Sequence, residues 1–243
     1  MANVVDILIT AQDKASAPIR SATDTLRKMR GPLLAVTAAT VGMGVVAVKA
    51  ASSLEEATNK ATVVFGKSAE KIREFAKHSA ASYGISKAAA NEYAGTLGTI
   101  LKASGMTTDA SADMSIEIVK LSADLASFND IPIDVALKKI RSGLVGEVEP
   151  LRAVGILLNQ AAVETKALEM GLIEQGEAMS EAAKVQARYA LIMDKTTDQQ
   201  GDFIRTSGSL ANQMRIMAAL FEDSAAILGE ELIPVVTVVA NTL

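Results

Sequence analysis

Few residues of this chain have the chemistry that catalysis requires. His78 is the only histidine among the 243 residues, and cysteine is absent. A serine–histidine dyad would therefore have to use His78, whose neighbours in the sequence are Lys77 and Ser79. The histidine lies in a predicted helix without the partners that a dyad or triad needs. We therefore interpret it as a solvated or partly buried helix residue.

Glu147 and Glu149 form a close pair of carboxylates between Arg141 and Arg152. Two carboxylates can catalyse glycoside hydrolysis when their separation suits an acid and a base or nucleophile. Here both acids lie on one short turn before Pro150, and acidic residues favour the N-termini of helices. We therefore interpret the pair as helix capping combined with ion pairing to the two arginines.

No cofactor or metal signature is found in the sequence. The glycines at 42–44 and 143–146 lack the lysine and serine or threonine that end a phosphate-binding P-loop. The acids between Asp124 and Asp134 are interrupted by apolar residues, which does not fit a calcium loop. Methionines could form an adaptable binding surface, but they more often fill helical cores. The methionines in question are Met106, Met114, Met170, Met179, Met193, Met214 and Met217. We predict no catalytic, cofactor-binding or metal-binding residue.

The composition predicts an all-α protein built by close helix packing. Hydrophobic residues make up 49% of the chain but aromatic residues only 3%, so alanine and aliphatic side chains supply the apolar surface. The absence of cysteine excludes disulfides and thiolate metal sites. The net charge of −4 with well-mixed charges argues against a broad nucleic-acid surface and predicts no specific nucleic-acid binding.

The region Ser111–Asn159 contains two amphipathic helices around a break at Asp130–Pro132, where proline removes a backbone donor. The first helix has apolar residues at steps of four and three: Met114, Ile118, Leu121, Leu125 and Phe128. The second has Ile133, Leu137, Ile140 and Leu144 on one side. Gly143 and Gly146 are expected to end it. Candidate N-caps such as Ser86 and Asn159 recur around this region, with glycines after the helices, and predict a compact bundle of short helices.

Five regions are predicted along the chain. They are an N-terminal strand and polar helix at 1–30, an apolar helix at 31–53, a helical core domain at 54–196, a linker at 197–208 and an amphipathic to apolar helix at 209–243. The linker prediction rests on polar composition and two glycines. The last region is expected to be truncated, because it ends on an apolar run without a capping signal.

Three of these regions have further features. Val4–Thr10 alternates apolar and polar residues, which predicts a short strand, and Asp13–Met29 reads as a helix that is basic toward its end. Pro32–Val48 is uncharged over 17 residues, or about 25 Å of helix, so it suits either a buried helix or a membrane-entering segment. The last helix has a heptad-like stripe that favours association with another helix, and Pro234 is expected to kink it. That stripe consists of Leu210, Met214, Met217, Phe221, Ser224 and Leu228.

Several segments resemble the core region of phage tail tape measure proteins, and together they span roughly residues 52–239. The most specific is RSGLVGEVEPLR, which begins at Arg141. The others are TNKATVVFGKSAEKI, LSADLASFND, AVGILLN, ETKALEMGL, KVQARYALIMDKT and SLANQMRIMAALFEDSAAILGEELIPV.

The resemblance implies a structural protein that sets tail length during assembly of the tail tube and takes part in genome ejection. It implies a location inside the tail tube of the virion, and in the host cytoplasm during assembly. The partners it implies are further copies of the chain, the tail tube protein, tail tip proteins, tail assembly chaperones and the host membrane at ejection. A helix rises about 1.5 Å per residue, so 243 residues reach at most about 365 Å, which is short for a whole ruler in a long tail.

Two other functions remain open from the sequence. A membrane-active, pore-forming helical protein would use Pro32–Val48 and the apolar end of the chain. A cell-wall hydrolase is the second alternative, since some tape measure proteins carry such domains elsewhere in the chain.

Overall fold

The computed structural model describes the backbone of residues 37–240 and the side chains of residues 44–233. Every regular element within these bounds is helical, which confirms the all-α prediction. The α-helices are α1 (Thr37–Phe65), α2 (Ala69–Tyr83), α3 (Lys87–Ala103), α4 (Thr108–Phe128), α5 (Ile133–Val145), α6 (Glu149–Arg152), α7 (Gln160–Glu169), α8 (Glu181–Lys195), α9 (Asp202–Arg205) and α10 (Leu210–Ala240). A 3-10 turn at Gly66–Ser68 joins the first two. The predicted strand at Val4–Thr10 and the polar helix that follows it lie outside the described residues.

Side-chain caps set the start of several helices. The hydroxyl oxygens of Ser86, Thr107 and Ser180 accept hydrogen bonds from the amides three residues later, and these bonds begin α3, α4 and α8. The carboxamide oxygen of Asn159 caps α7 in the same way. Each cap satisfies an amide that the helix itself leaves without a partner. The boundaries of these helices therefore follow from short-range sequence signals.

The core is organised around α4, which packs against α2, α3, α5 and α9. Ile118, Leu121 and Leu125 are at most 2% exposed, as the apolar stripe predicts. The prediction is wrong for Phe128, which is 53% exposed in the last turn of α4. The helix ends directly after Phe128, and Asn129 caps it.

The two glycines of α5 have different roles. Gly146 has a φ of +100° and ends the helix in the left-handed conformation, as predicted. Gly143 lies inside the helix, so the prediction that it ends α5 is wrong. A β-carbon at Gly143 would collide with the side chain of Leu151, which is fully buried in α6. Gly143 thus provides room for α6 to pack across α5.

The segment at 197–208, predicted as a linker, is anchored to the core by one buried aromatic side chain and two backbone hydrogen bonds. It contains α9, and Phe203 within that helix is fully buried. The carboxylate of Asp124 on α4 accepts hydrogen bonds from the amides of Gly201 at 2.8 Å and Phe203 at 3.1 Å. A polar segment can therefore be part of the core when a buried carboxylate satisfies its backbone.

The long helices α1 and α10 pack closely along one side of the core. Ala47 and Ala51 of α1 and Ala226 of α10 are buried where the two helices meet. Helix α10 continues through Pro234 to Ala240, and the kink expected at that proline stays a prediction. Between residues 37 and 240, no helix combines the length and apolar character required to cross a bilayer.

Candidate interaction surface

His78 lies on the exposed surface of α2. Its side chain is 62% exposed, and Nε2 lies 3.5 Å from Oε1 of Glu74, one turn earlier in the same helix. Glu74 also accepts a hydrogen bond from the ammonium of Lys77 at 2.6 Å, and this bond lowers the pKa of its carboxyl group. The arrangement is a surface charge cluster of one helix.

Glu147 and Glu149 occupy the turn between α5 and α6. Glu149 is 81% exposed and pairs with Arg152 at 3.0 Å, one turn later. Glu147 accepts a 3.3 Å hydrogen bond from the Ser142 hydroxyl. Arg141 has no ion pair with either acid within 4.0 Å, so that part of the predicted pairing is absent from the described structure. Each acid thus has a local partner on its own turn.

The three acids between Asp124 and Asp134 serve different elements. Asp124 is buried, and its burial raises the pKa of the carboxyl group despite the two amides that donate to it. Asp130 is exposed, has a φ of +50° and lies 3.5 Å from Arg215. Asp134 pairs with Lys138 on α5 at 3.1 Å. In the part of the chain that the structure describes, no group of three or more metal-ligating side chains is present.

An apolar stripe runs along the outer face of α10. Five large side chains at heptad-like spacing form this stripe: Leu210, Met214, Met217, Phe221 and Leu228. Their exposures are 80%, 60%, 63%, 69% and 46%. Single exposed apolar residues are ordinary, but aligned ones mark an interaction surface. The stripe spans about 27 Å of helix, which is enough for a second helix to pack along it.

Polar contacts on the opposite face of α10 hold the apolar stripe outward. The amide of Asn212 donates to the Ser127 hydroxyl at 2.9 Å, and the Arg215 guanidinium donates to the Ile131 carbonyl at 3.3 Å. Further along, Asp223 accepts a 2.7 Å hydrogen bond from the Lys87 amide at the start of α3. Burial raises the pKa of the Asp223 carboxyl group. These bonds fix the rotation of α10 about its axis.

A groove of about 570 Å³ lies beside the apolar stripe, between α10 and the α4–α5 connection. Asp134 and Glu222 lie on its walls with Tyr93. Burial raises the pKa of Tyr93 to about 12, and the two acids add to that effect. Glu222 is exposed and, among described residues, has no ion-pair partner within 4.0 Å. Arg215 also lines the groove, so its walls carry charges of both signs.

The methionines divide between core and surface. Met114 and Met193 pack against the main core, and Met179 packs against a smaller cluster formed by α7 and α8. Met170, Met214 and Met217 are exposed. The prediction that methionines fill helical cores therefore holds for Met114, Met179 and Met193. Met214 and Met217 instead belong to the apolar stripe.

Sequence reasoning missed the polar residues that position α9 and the apolar stripe. Asp124 holds α9, and Asn212 and Asp223 hold α10; each has a partner 77 or more positions away in the chain. Because each partner is so far away in the sequence, no local pattern indicates these contacts. The stripe itself was visible because its spacing repeats along one helix.

No protein-family model, curated protein or solved structure matches this chain. The function is therefore inferred from its own sequence and geometry.

Proposed function

We propose that this chain is a structural part of a phage tail tape measure protein that helps to set tail length and takes part in genome ejection. The observation that carries the proposal is the apolar stripe of α10. An aligned, exposed heptad stripe on a long helix suits lateral packing of copies of a chain. A structural role needs such surfaces and needs no reaction centre.

The sequence resemblance across residues 52–239 supports the same proposal. In this proposal, the core around α4 is a folded region of the ruler protein. Extended helix, by contrast, supplies length at about 1.5 Å per residue. A compact bundle adds little length per residue. The proposal therefore assigns the measuring length to other parts of a longer protein and gives this region the task of association.

The proposed partners follow from this role. Copies of the chain associate around a common axis, and the assembly contacts the tail tube protein, tail tip proteins and tail assembly chaperones. The proposed location is the interior of the tail tube, preceded by the host cytoplasm during assembly, with contact to the host membrane at ejection. The protein acts without a cofactor and is not an enzyme in this proposal.

Analysis of virions tests the proposal directly. Peptides of this chain should be found by mass spectrometry in purified tails from the phage or prophage that encodes it. In-frame insertion of a helical repeat into the gene should lengthen the tails by about 1.5 Å per inserted residue, measured by electron microscopy. Tails of unchanged length, in virions that contain the longer chain, would refute a ruler role.

A membrane-active role is the second candidate, because an exposed apolar helix face also suits insertion into a lipid surface. An assay of liposome leakage distinguishes the membrane-active role from the tail role. Dye release by the purified chain at low concentration, abolished by charged substitutions in the apolar stripe, would favour the membrane-active protein over the tail protein.

A further inference from the structure

The heptad positions of α10 are symmetric about one residue. Ala219 is buried against the core, whereas the stripe residues on both sides of it in the sequence are exposed. Each heptad position before residue 219 has a counterpart at the same distance after it. The pairs are Leu210 with Leu228, Met214 with Ser224 and Met217 with Phe221, at nine, five and two positions from residue 219. A twofold axis at residue 219, perpendicular to the helix, therefore places each of these side chains beside its counterpart on a second copy.

The side chains that meet in this antiparallel arrangement suit each other. In the middle of the seam, Met217 of one copy lies beside Phe221 of the other, and a thioether against an aromatic ring is a favourable contact. At each end, Leu210 lies beside Leu228 of the second copy. Between them the long side chain of Met214 faces the short one of Ser224. Large and small side chains can thus pack between one another along the whole stripe.

Small side chains beside the stripe allow the two helices to approach closely. Ala211 and Ala218 are exposed along one edge of the stripe, one heptad apart. Ala218 is one residue from the centre of symmetry, so it meets Ala218 of the second copy at the twofold axis. The distance between packed helices depends on the side chains at the contact, and alanine permits a short one.

The distribution of charge along α10 favours the antiparallel direction. Residues 210–220 contain one basic side chain and no acidic one, whereas residues 221–233 contain four acidic side chains and no basic one. A parallel pair would align the two acidic halves and bring like charges together. An antiparallel pair places each acidic half beside the half that carries the basic residue. Charges beside an apolar seam determine which direction of packing is preferred.

Two of these charges face each other across the edge that carries Ala218. Arg215 lies four positions before residue 219 and Glu222 three positions after it, so the antiparallel pair brings Arg215 opposite Glu222 of the second copy. By symmetry this contact occurs twice. Within its own chain, Glu222 has no ion-pair partner within 4.0 Å among the described residues, and Arg215 has a long ion pair of 3.5 Å to an exposed carboxylate.

We propose that α10 packs antiparallel against α10 of a second copy, about a twofold axis at residue 219. This inference rests on the proposed function, because it specifies the direction, the register and the copy number of the association that the function requires. A contact in which the same surface is used by both copies is closed. The apolar stripe therefore joins two copies and no more.

Single introduced cysteines test the direction and the register in the full chain, which has no cysteine of its own. Ala218→Cys places two thiols at the twofold axis, so a short bismaleimide should convert the associated protein to a product of dimer size. Leu210→Cys or Leu228→Cys alone places the thiols about 27 Å apart along the helix and should give no such product. An equal mixture of the last two variants should give it again. Val63→Cys, at a side chain that is 83% exposed on α1, measures cross-linking by random collision.

Reversal of one charge provides an independent measurement of the direction. Glu222→Lys would place a lysine beside Arg215 of the second copy and should weaken association about threefold in sedimentation equilibrium. In a parallel pair, the same change replaces one pair of like charges with another and leaves association unchanged. Glu164→Lys is the matched control, because Glu164 is exposed on α7 and α7 does not pack against α10. This control should not weaken association.

The outcomes separate this inference from the proposed function. A dimer-sized product from Leu210→Cys alone, as abundant as that from Ala218→Cys, would overturn the antiparallel direction. The same conclusion would follow if Ala218→Cys gave no product in a chain that light scattering shows to be associated. In both cases copies still associate, and the proposed function is decided by the analysis of virions. A chain that stays monomeric at every concentration would overturn this pairing, whereas its presence in purified tails would still support the structural role.

Discussion

Gly229 of α10 packs directly against the backbone of Ala47 in α1. A β-carbon at Gly229 would overlap the carbonyl group of Ala47 and would lie 2.8 Å from the β-carbon of Ala51. Real β-carbons do not approach other atoms so closely, so the two helices would have to separate. This glycine therefore sets the distance between the two longest helices of the described structure.

Replacing Gly229 with alanine should destabilise the protein. Separating α1 from α10 costs about 1–3 kcal/mol in a packed interface, which outweighs the gain of about 1 kcal/mol in helix propensity. The matched control is Gly44→Ala in α1, where a β-carbon meets no atom within 4 Å. Urea unfolding should show a lower midpoint for the first variant and a slightly higher midpoint for the second. Equal midpoints would show that the close approach does not constrain the helix pair.

The central helix provides a second stability prediction. Leu121 and Leu125 are buried in α4, and truncating a buried leucine to alanine costs about 2–5 kcal/mol. A domain of this size has only about 5–15 kcal/mol of stability, so Leu121→Ala with Leu125→Ala should unfold most of the core. Lys120→Ala should change stability by less than about 0.5 kcal/mol, because its ion pair with Glu117 is partly exposed. Thermal melts measure all three, and a double variant that melts like the wild type would contradict the packed core.

Sequence reasoning succeeded where the signal is local. The caps at Ser86 and Asn159 and the turn at Gly146 each depend on residues within one helical turn. The apolar spacing of α4 identified Leu121 and Leu125, because a helix repeats its face every three or four residues. The same spacing identifies the stripe of α10, whose side chains are exposed in the structure.

Sequence reasoning failed where contacts between distant parts of the chain determine the structure. Phe128 continues the apolar spacing of α4 but extends beyond the core. Gly143 looks like a helix end, yet its missing side chain makes room for Leu151. The polar segment around Phe203 looks like a linker because its stabilising acceptor, Asp124, lies far away in the sequence. None of these outcomes has a signal within one turn of the residue concerned.

The carboxyl group of Asp124 should titrate above the ordinary range of an aspartate. Burial raises its pKa, whereas hydrogen bonds from the Lys71 ammonium lower the pKa of exposed Asp109. Since the pKa of Asp124 is higher in the folded than in the unfolded chain, folding favours its protonated form. Its stabilising contribution is complete below the unfolded pKa and is lost as pH rises through the folded pKa. Carboxyl-carbon NMR should find Asp124 titrating above Asp109, and the reverse order would contradict the burial argument.

The residues that could have served catalysis should be dispensable for any activity. His78 is a surface residue, and Glu147 and Glu149 have only local partners. The purified chain should show no clearing of peptidoglycan in a zymogram, and the triple alanine variant should behave identically. Cleavage by the wild-type chain that the triple variant lacks would overturn the structural role proposed for this protein.

Charged substitutions in the apolar stripe should weaken association between copies. Met217 and Phe221 lie in the middle of the stripe and are 63% and 69% exposed, so glutamate at either position costs the free chain little stability. In an associated state both side chains are buried, and two carboxylates would have to lose their hydration there. Met217→Glu with Phe221→Glu should therefore raise the concentration required for association by at least about a hundredfold, or about 2.7 kcal/mol. Val63→Glu is the matched control, because Val63 is also highly exposed, at 83%, but lies outside the stripe. Sedimentation or light scattering across a concentration series measures the effect. A wild-type chain that remains strictly monomeric at high concentration, or a double variant that associates as strongly as the control, would show that the stripe does not join copies of this chain.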